Sequence, residues 1–121
     1  MIIKNTSSKK TIADNAWLCK TLKERLKGLM FKKINENDAC VLVSPYESLV
    51  DASIHMMFVP QDLQIIWTDS ELNVVSVKKC RKASINPLSW RSYTPSKPAR
   101  YVIEVLNAKG TMKGDKPEFI K

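Results

Sequence analysis

The chain has 121 residues, of which 44% are hydrophobic and 26% are charged. This length and balance predict one folded β-rich domain over residues 1–121 and exclude an intrinsically disordered chain. No apolar run approaches the roughly 20 residues of a membrane helix, and the N-terminus turns polar too early for an export signal. We therefore expect a cytoplasmic protein with no membrane partner.

Charge is distributed unevenly around a net value of +8. The net charge is +7 over residues 1–33, −7 over residues 34–77 and +8 over residues 78–121. Two interpretations stay open, namely a solvated surface that favours solubility, and one basic face that binds an anionic partner. The second interpretation needs Lys20, Lys23, Arg25, Lys27, Lys32 and Lys33 to converge with Lys78, Lys79, Arg81 and Lys82.

The clearest local signal is a capping box at Thr21-Leu22-Lys23-Glu24, which predicts a helix over residues 22–30. Leu22, Leu26, Leu29 and Met30 follow at helical spacing, so we expect the leucines to pack inward. Gly28 either helps to end the helix or allows a neighbouring chain to approach closely.

The rest of the chain has a β pattern. Candidate strands are Ala16–Cys19, Cys40–Val43, Ser53–Phe58, Leu63–Trp67, Val74–Lys78, Tyr101–Leu106 and Glu118–Ile120. Residues 69–73 read as a hairpin loop, and residues 86–98, with three prolines, read as an irregular loop anchored by Trp90 or Tyr93. Seven short strands favour an antiparallel sandwich or barrel over alternating βαβ units.

The three cysteines, Cys19, Cys40 and Cys80, are odd in number and include no Cys-x-x-Cys pair. Their spacing fits neither a disulfide framework nor a zinc knuckle. We expect each to be a small buried hydrophobic residue.

Four short motifs occur in a fixed order along the chain. They are Gly28–Phe31, His55-Met56 with Pro60-Gln61-Asp62, Pro98–Val105, and Gly114-Asp115. In this order the motifs resemble those of the family known as domain of unknown function 192, and the resemblance covers about residues 21–115. The resemblance implies a compact, mainly β sandwich of jelly-roll-like form with one short helix in the N-terminal half. It brings no established activity. Ala39-Cys40 and Gln61 depart from the family pattern without changing this fold.

His55 is the only histidine, and Met56 and Met57 follow it. A Cu(I) site would suit these ligands, but strand alternation sends His55 and Met56 to opposite faces, so we predict no metal and no cofactor. Asp62 is a candidate general base with His55 as its partner, which would make a hydrolase-like enzyme. Capping of nearby backbone amides is the interpretation of Asp62 that we favour, and an enzyme is the less favoured alternative.

The sequence favours a binding or interaction module whose ligand or protein partner, and whose oligomeric state, it does not specify. Candidate binding residues are Arg25, Met30, His55, Asp62, Trp90 and Tyr93. The alternative is single-stranded nucleic acid on a basic face, with aromatic rings that stack on bases. Candidate residues of that face are Lys27, Lys78, Lys79, Arg81, Lys82, Arg91 and Arg100.

Overall fold

The protein is mainly β in a computed structural model that describes residues 1–83 and 92–121. In chain order the elements are β1 (Ile2–Asn5), β2 (Lys10–Ala13), β3 (Asn15–Cys19), α1 (Leu22–Lys27), β4 (Asp38–Ser48), β5 (Ile54–His55), β6 (Leu63–Thr68), β7 (Val74–Cys80), β8 (Ser92–Tyr93), β9 (Ala99–Val105) and β10 (Pro117–Ile120). Within the two described ranges, no helix has the length and apolar character needed to cross a membrane.

The strands form three sheets. The central sheet has the order β3-β4-β9-β6-β7, a second sheet has the order β10-β1-β2, and β5 pairs with β8. These sheets do not close into a barrel among the described strands, so the mainly β, sandwich-like fold with one short helix is confirmed.

One strand pair differs from the antiparallel arrangement expected from the sequence. β3 and β4 are parallel, whereas the other described pairs are antiparallel. A parallel pair requires a crossover connection. Here α1 and the segment from Gly28 to residue 37 form that crossover, which passes over one face of the central sheet.

Alternation along the central strand β9 separates two apolar clusters. Val102 packs in the first cluster, whereas Ile103 and Val105 pack in the second. The second cluster also contains Ile3 of β1 and Ile12 of β2, so the three-stranded sheet covers that face. The crossover and the segment around β5 cover the first cluster with Leu29, Ile34, Ile54, Met56 and Val59.

The capping box that the sequence predicts at the start of α1 is present. The Glu24 amide donates to the Thr21 side chain at 3.1 Å, and the Glu24 carboxylate accepts from the Thr21 amide at 3.0 Å. The helix ends at Lys27, three residues before the predicted end, because Gly28 leaves helical geometry with φ of 43°.

The expected inward packing of α1 is wrong for two of its leucines. Leu22 is 63% exposed and Leu26 is 59% exposed, and no residue of α1 is buried. Leu29 is buried, but it lies beyond the helix in the crossover. Periodicity identified an apolar stripe, and in this chain the stripe faces outward.

The predicted strands are found with three differences. Ser53–Phe58 contains only the two-residue β5, and Ser92–Tyr93 forms a strand within the predicted irregular loop. The hairpin of β1 and β2 was not predicted from the sequence. The hairpin loop at residues 69–73 is confirmed, since the Asp69 carboxylate accepts from the amides of Glu71 and Asn73, each at 2.9 Å.

Candidate ligand-binding site

A cavity of about 190 Å³ opens between the crossover and the central sheet. Its walls come from α1, the crossover, β4, β5 and β9, and from the loops on either side of β5. A buried apolar cavity of about 150 Å³ holds a molecule the size of benzene. The cavity therefore has room for a small organic group. Its apolar lining includes Leu29, Leu42, Ile54 and Val59, and its polar groups are Arg25, Lys27, Asp51, Ser53, His55 and Glu104.

Glu104 lies at the inner wall of this cavity, in the middle of the central sheet. It pairs with Cys40 on β4 and with Ile65 on β6, and alternation places its side chain on the same face as Val102. The residue is only 4% exposed, and its Oε1 atom has no hydrogen-bond partner among the described residues. Burial raises the pKa of the Glu104 carboxyl to about 7, while the neighbouring Cys40 thiol opposes that change.

Gly28 is packed against the Glu104 carboxyl. A Cβ atom at this position would lie 3.2 Å from Glu104 Oε1, which is tighter than ordinary contact. Residues that have a Cβ atom also rarely adopt the backbone φ of 43° found at Gly28. Both roles left open by the sequence are therefore present, because Gly28 ends α1 and allows a close approach.

Arg25 lies on α1 and lines the same cavity. Its Nε atom is buried and has no hydrogen-bond partner in the described part of the chain. Asp51, another wall residue, is bonded to the Tyr46 hydroxyl, a contact that raises the pKa of Tyr46. A buried polar group without a partner costs about 1–3 kcal/mol. Arg25 Nε and Glu104 Oε1 are thus a donor and an oxygen to which no described residue bonds.

His55 and Met30 also line the cavity, so three of the candidate binding residues, Arg25, Met30 and His55, meet there with Glu104. His55 Nδ1 accepts the Met57 amide at 3.2 Å, which leaves Nε2 as the protonated nitrogen of a neutral ring. Met56 follows the end of β5, is 1% exposed and packs in the first cluster, apart from the cavity wall. Among residues 1–83 and 92–121, no three His, Cys, Asp or Glu side chains are grouped to hold a metal.

Next to the cavity, the outer surface of α1 and the crossover form an apolar groove. It has a volume of about 530 Å³ and is lined by Leu22, Lys23, Leu26, Lys27, Met30 and Phe31. Phe31 is 75% exposed and stacks on Phe58 with ring centroids 5.0 Å apart. Both phenylalanines have φ near 60°, an uncommon and strained conformation for a bulky residue. Leu22, Leu26, Lys27 and Met30 line both the groove and the cavity.

Other candidate residues lie away from the cavity. The Asp62 carboxylate accepts the Lys82 amide at 2.8 Å, and the Tyr93 hydroxyl accepts the Arg81 amide at 3.3 Å. Asp62 thus bonds a backbone amide 20 residues away in sequence, whereas the sequence predicted capping of amides nearby. The Lys78 ammonium donates to the Thr94 carbonyl. Two more candidates, Trp90 and Arg91, lie outside the described residues.

Basic residues from the two ends of the chain meet at one other concave surface. Lys20, Arg25 and Arg100 line it together with Tyr101 and Phe119, around a volume of about 440 Å³. Arg100 is held there because its Nε donates to the Ser44 carbonyl at 3.2 Å. Lys78, Lys79, Arg81 and Lys82 are not among the residues that line this surface.

A family model described as "Uncharacterized ACR", DUF192, matches residues 2–115. This chain belongs to the DUF192 family. The resemblance inferred from four motifs is thereby confirmed, and the match extends the shared region from residue 21 back to residue 2, which includes β1 and β2.

Curated relatives of this DUF192 chain carry the name UPF0127 protein. The chain is 42% identical to one from Thermococcus kodakarensis over 109 residues, which cover 86% of this chain and 60% of the relative. It is 44% identical to one from Thermococcus gammatolerans over 87 residues, which cover 72% of this chain and 52% of the relative. The chain therefore spans only about half to three-fifths of the length of these relatives.

A crystal structure of a protein of unknown function from Novosphingobium aromaticivorans has the same fold. Its TM-score is 0.77 at 21% identity, and the alignment covers 98% of this chain and 82% of that one. At this identity the similarity establishes the DUF192 fold alone.

Sequence reasoning missed Glu104, the residue at the inner wall of the cavity. A signal was present, since Val102-Ile103-Glu104-Val105 places one carboxylate inside an otherwise apolar β run. Charged residues are almost never fully buried unless paired. An acid at such a position therefore indicates either a side chain that faces solvent or a functional site that holds a buried carboxyl. The structure places the Glu104 side chain inward.

Proposed function

We propose that this DUF192 chain is a binding module that takes a small molecule with a polar group into the Arg25–Glu104 cavity. One observation carries the proposal. Arg25 Nε and Glu104 Oε1 are buried, lack hydrogen-bond partners among the described residues, and line the same cavity. A ligand that accepts from Arg25 and bonds to Glu104 would remove both desolvation costs.

The positions of Asp62 and His55 favour binding over hydrolysis. His55 lines the cavity, whereas Asp62 is exposed and bonded to the Lys82 amide. A general base must reach the proton that it removes, and a base is oriented by a direct hydrogen bond. The arrangement of these two residues gives no such pair, whereas the cavity provides the concave, mostly apolar wall with few polar groups that is typical of ligand sites.

A fragment screen tests the proposal. We expect small polar fragments to shift the backbone amide signals of Gly28, Leu29 and His55 in two-dimensional NMR spectra of the labelled protein. Arg25→Gln and Glu104→Leu, which each remove the polar group that the proposal needs, should each abolish these shifts. Arg100→Gln is the matched control, since Arg100 lies outside the cavity, and it should preserve them. Fragments that bind elsewhere, or that bind both cavity variants normally, would contradict the proposal.

Nucleic-acid binding is the second candidate, because Lys20, Arg25 and Arg100 line one concave surface beside Tyr101. Fluorescence anisotropy with a labelled single-stranded oligonucleotide tests it. If the surface binds phosphates, Lys20→Gln with Arg100→Gln should weaken binding and flatten its salt dependence by about 0.7 per lost contact. The triple replacement of Lys79, Arg81 and Lys82 serves as the control. Equal effects of the two sets would indicate non-specific attraction and reject a defined surface.

A further inference from the structure

We infer that the ligand is a monocarboxylic acid with an apolar tail, whose carboxylate enters the Arg25–Glu104 cavity and whose tail lies along the apolar groove. This inference rests on the proposed function, and it adds the chemical class of the ligand. The cavity supplies the head site and the groove supplies the tail site.

The charges around the cavity favour a head group with one negative charge. Arg25 has a buried donor to which no described residue bonds, and its guanidinium matches a carboxylate in shape. Lys27 lies at the helix end of the wall, Asp51 is bonded to Tyr46, and His55 presents Nε2–H. A doubly charged phosphate would meet one buried cation beside a buried carboxyl group. A carboxylate matches Arg25 in charge, and the carboxyl of Glu104 in its protonated form can donate to it.

Continuity between cavity and groove favours a tail. Leu22, Leu26 and Met30 line both, so an apolar chain that leaves the cavity passes directly onto the groove. The groove runs beside a six-residue helix, which is about 9 Å long. Phe31 also lines the groove and stacks on Phe58.

The outward-facing leucines of α1 present apolar side chains at the protein surface. Leu22, Leu26 and Phe31 are each more than half exposed and adjoin one another along the groove wall. Contiguous exposed apolar surface marks a binding site more often than single exposed residues do. Lys23 and Lys27 flank it, so the groove also attracts an anion toward the cavity mouth.

A chain-length series tests the inference. Dissociation constants would be measured by isothermal titration calorimetry for butanoate, hexanoate, octanoate and decanoate, below their aggregation concentrations. We expect affinity to rise about two- to fourfold per added methylene until the groove is filled, since a buried methylene contributes about 0.8 kcal/mol. Arg25→Gln should weaken the whole series at least tenfold. Octanol, which has the tail without the charge, should bind more weakly than octanoate.

A groove variant locates the tail. Phe31 lines the groove but not the cavity, and asparagine tolerates its positive φ, so Phe31→Asn should fold and should reduce the gain per methylene. Met112→Asn is the matched control, because Met112 is also an exposed apolar residue, 63% accessible, and lies outside the groove. That control should keep the full gain.

The outcomes separate this inference from the proposed function. If fragments bind the cavity but affinity does not rise with chain length, the carboxylic-acid inference is overturned and the binding module stands. The inference also fails if Phe31→Asn keeps the full gain, or if octanol binds as tightly as octanoate. If neither fragments nor acids perturb the cavity, both proposals fail.

Discussion

Replacing Glu104 with glutamine should stabilise the protein more at pH 8 than at pH 5. In the folded state, burial raises the pKa of this carboxyl to about 7, above the ordinary value of 4.5. Well below pH 4.5 the carboxyl is neutral in both the folded and the unfolded state. Between pH 4.5 and 7 the folded state binds more protons than the unfolded state, so stability falls as the pH rises.

The size of this effect follows from the same pKa. The interval between 4.5 and about 7 corresponds to roughly 3 kcal/mol at about 1.4 kcal/mol per pH unit. Glutamine has nearly the same shape as glutamate but no charge. The Glu104→Gln variant should therefore lack this pH-dependent fall in the free energy of unfolding. A loss of 3 kcal/mol is large against the 5–15 kcal/mol that stabilise a typical domain.

Urea unfolding followed by tryptophan fluorescence at pH 5, 6, 7 and 8 measures the difference between wild type and Glu104→Gln. Glu118→Gln is the matched control, because Glu118 lies on β10 and is exposed. The control should run parallel to wild type. If the Glu104→Gln curve also runs parallel to wild type across this range, then Glu104 ionises in the folded protein as an exposed acid does, and the reasoning fails.

Three further predictions follow from the crossover and the core. Leu29→Ala should destabilise the protein by about 2–5 kcal/mol, whereas Leu26→Ala should change the free energy of unfolding by less than about 0.5 kcal/mol, since only Leu29 is buried. Thr21→Ala should cost about 1 kcal/mol of helix stability and speed amide hydrogen exchange at Arg25 and Gly28, which bond within this helix. Burial raises the pKa of the thiol of Cys40, so a thiol reagent should react with it only after denaturation.

Each of these predictions has its own control. Equal losses for the two leucines would mean that α1 packs inward after all. For the cap, Thr21→Ser should keep slow exchange because it keeps the hydroxyl. For the cysteine, fast labelling of the folded protein, followed by mass spectrometry, would show that the site opens readily.

Features set by nearby residues could be predicted from the sequence. The capping box needs only Thr21 and Glu24, and the hairpin loop needs only the Asp69 carboxylate and two amides close to it. These local hydrogen bonds form between groups that are close in sequence whatever the rest of the chain does, so the sequence motif alone predicts them.

Features set by distant residues could not be predicted. The β1–β2 hairpin is short, and its buried Asn5 is held by the side chains of Thr111 and Asp115, more than 100 residues away. Similarly, the apolar stripe of α1 is visible in the sequence, but which side of it meets protein depends on the parallel β3–β4 pair. The cavity depends on register, because one residue of slip would turn Glu104 to the opposite face.

The position of β9 has a consequence for how the chain is made. It is the middle strand of the central sheet, yet it is the ninth of the ten described strands in sequence. During synthesis, β4 and β6 leave the ribosome about 30 residues or more before the strand that lies between them, at roughly 5–20 residues per second. For those seconds their inner edges are unpaired and open to other chains. We therefore expect the nascent chain to pair readily with other chains until residue 105 has emerged and β9 fills the gap.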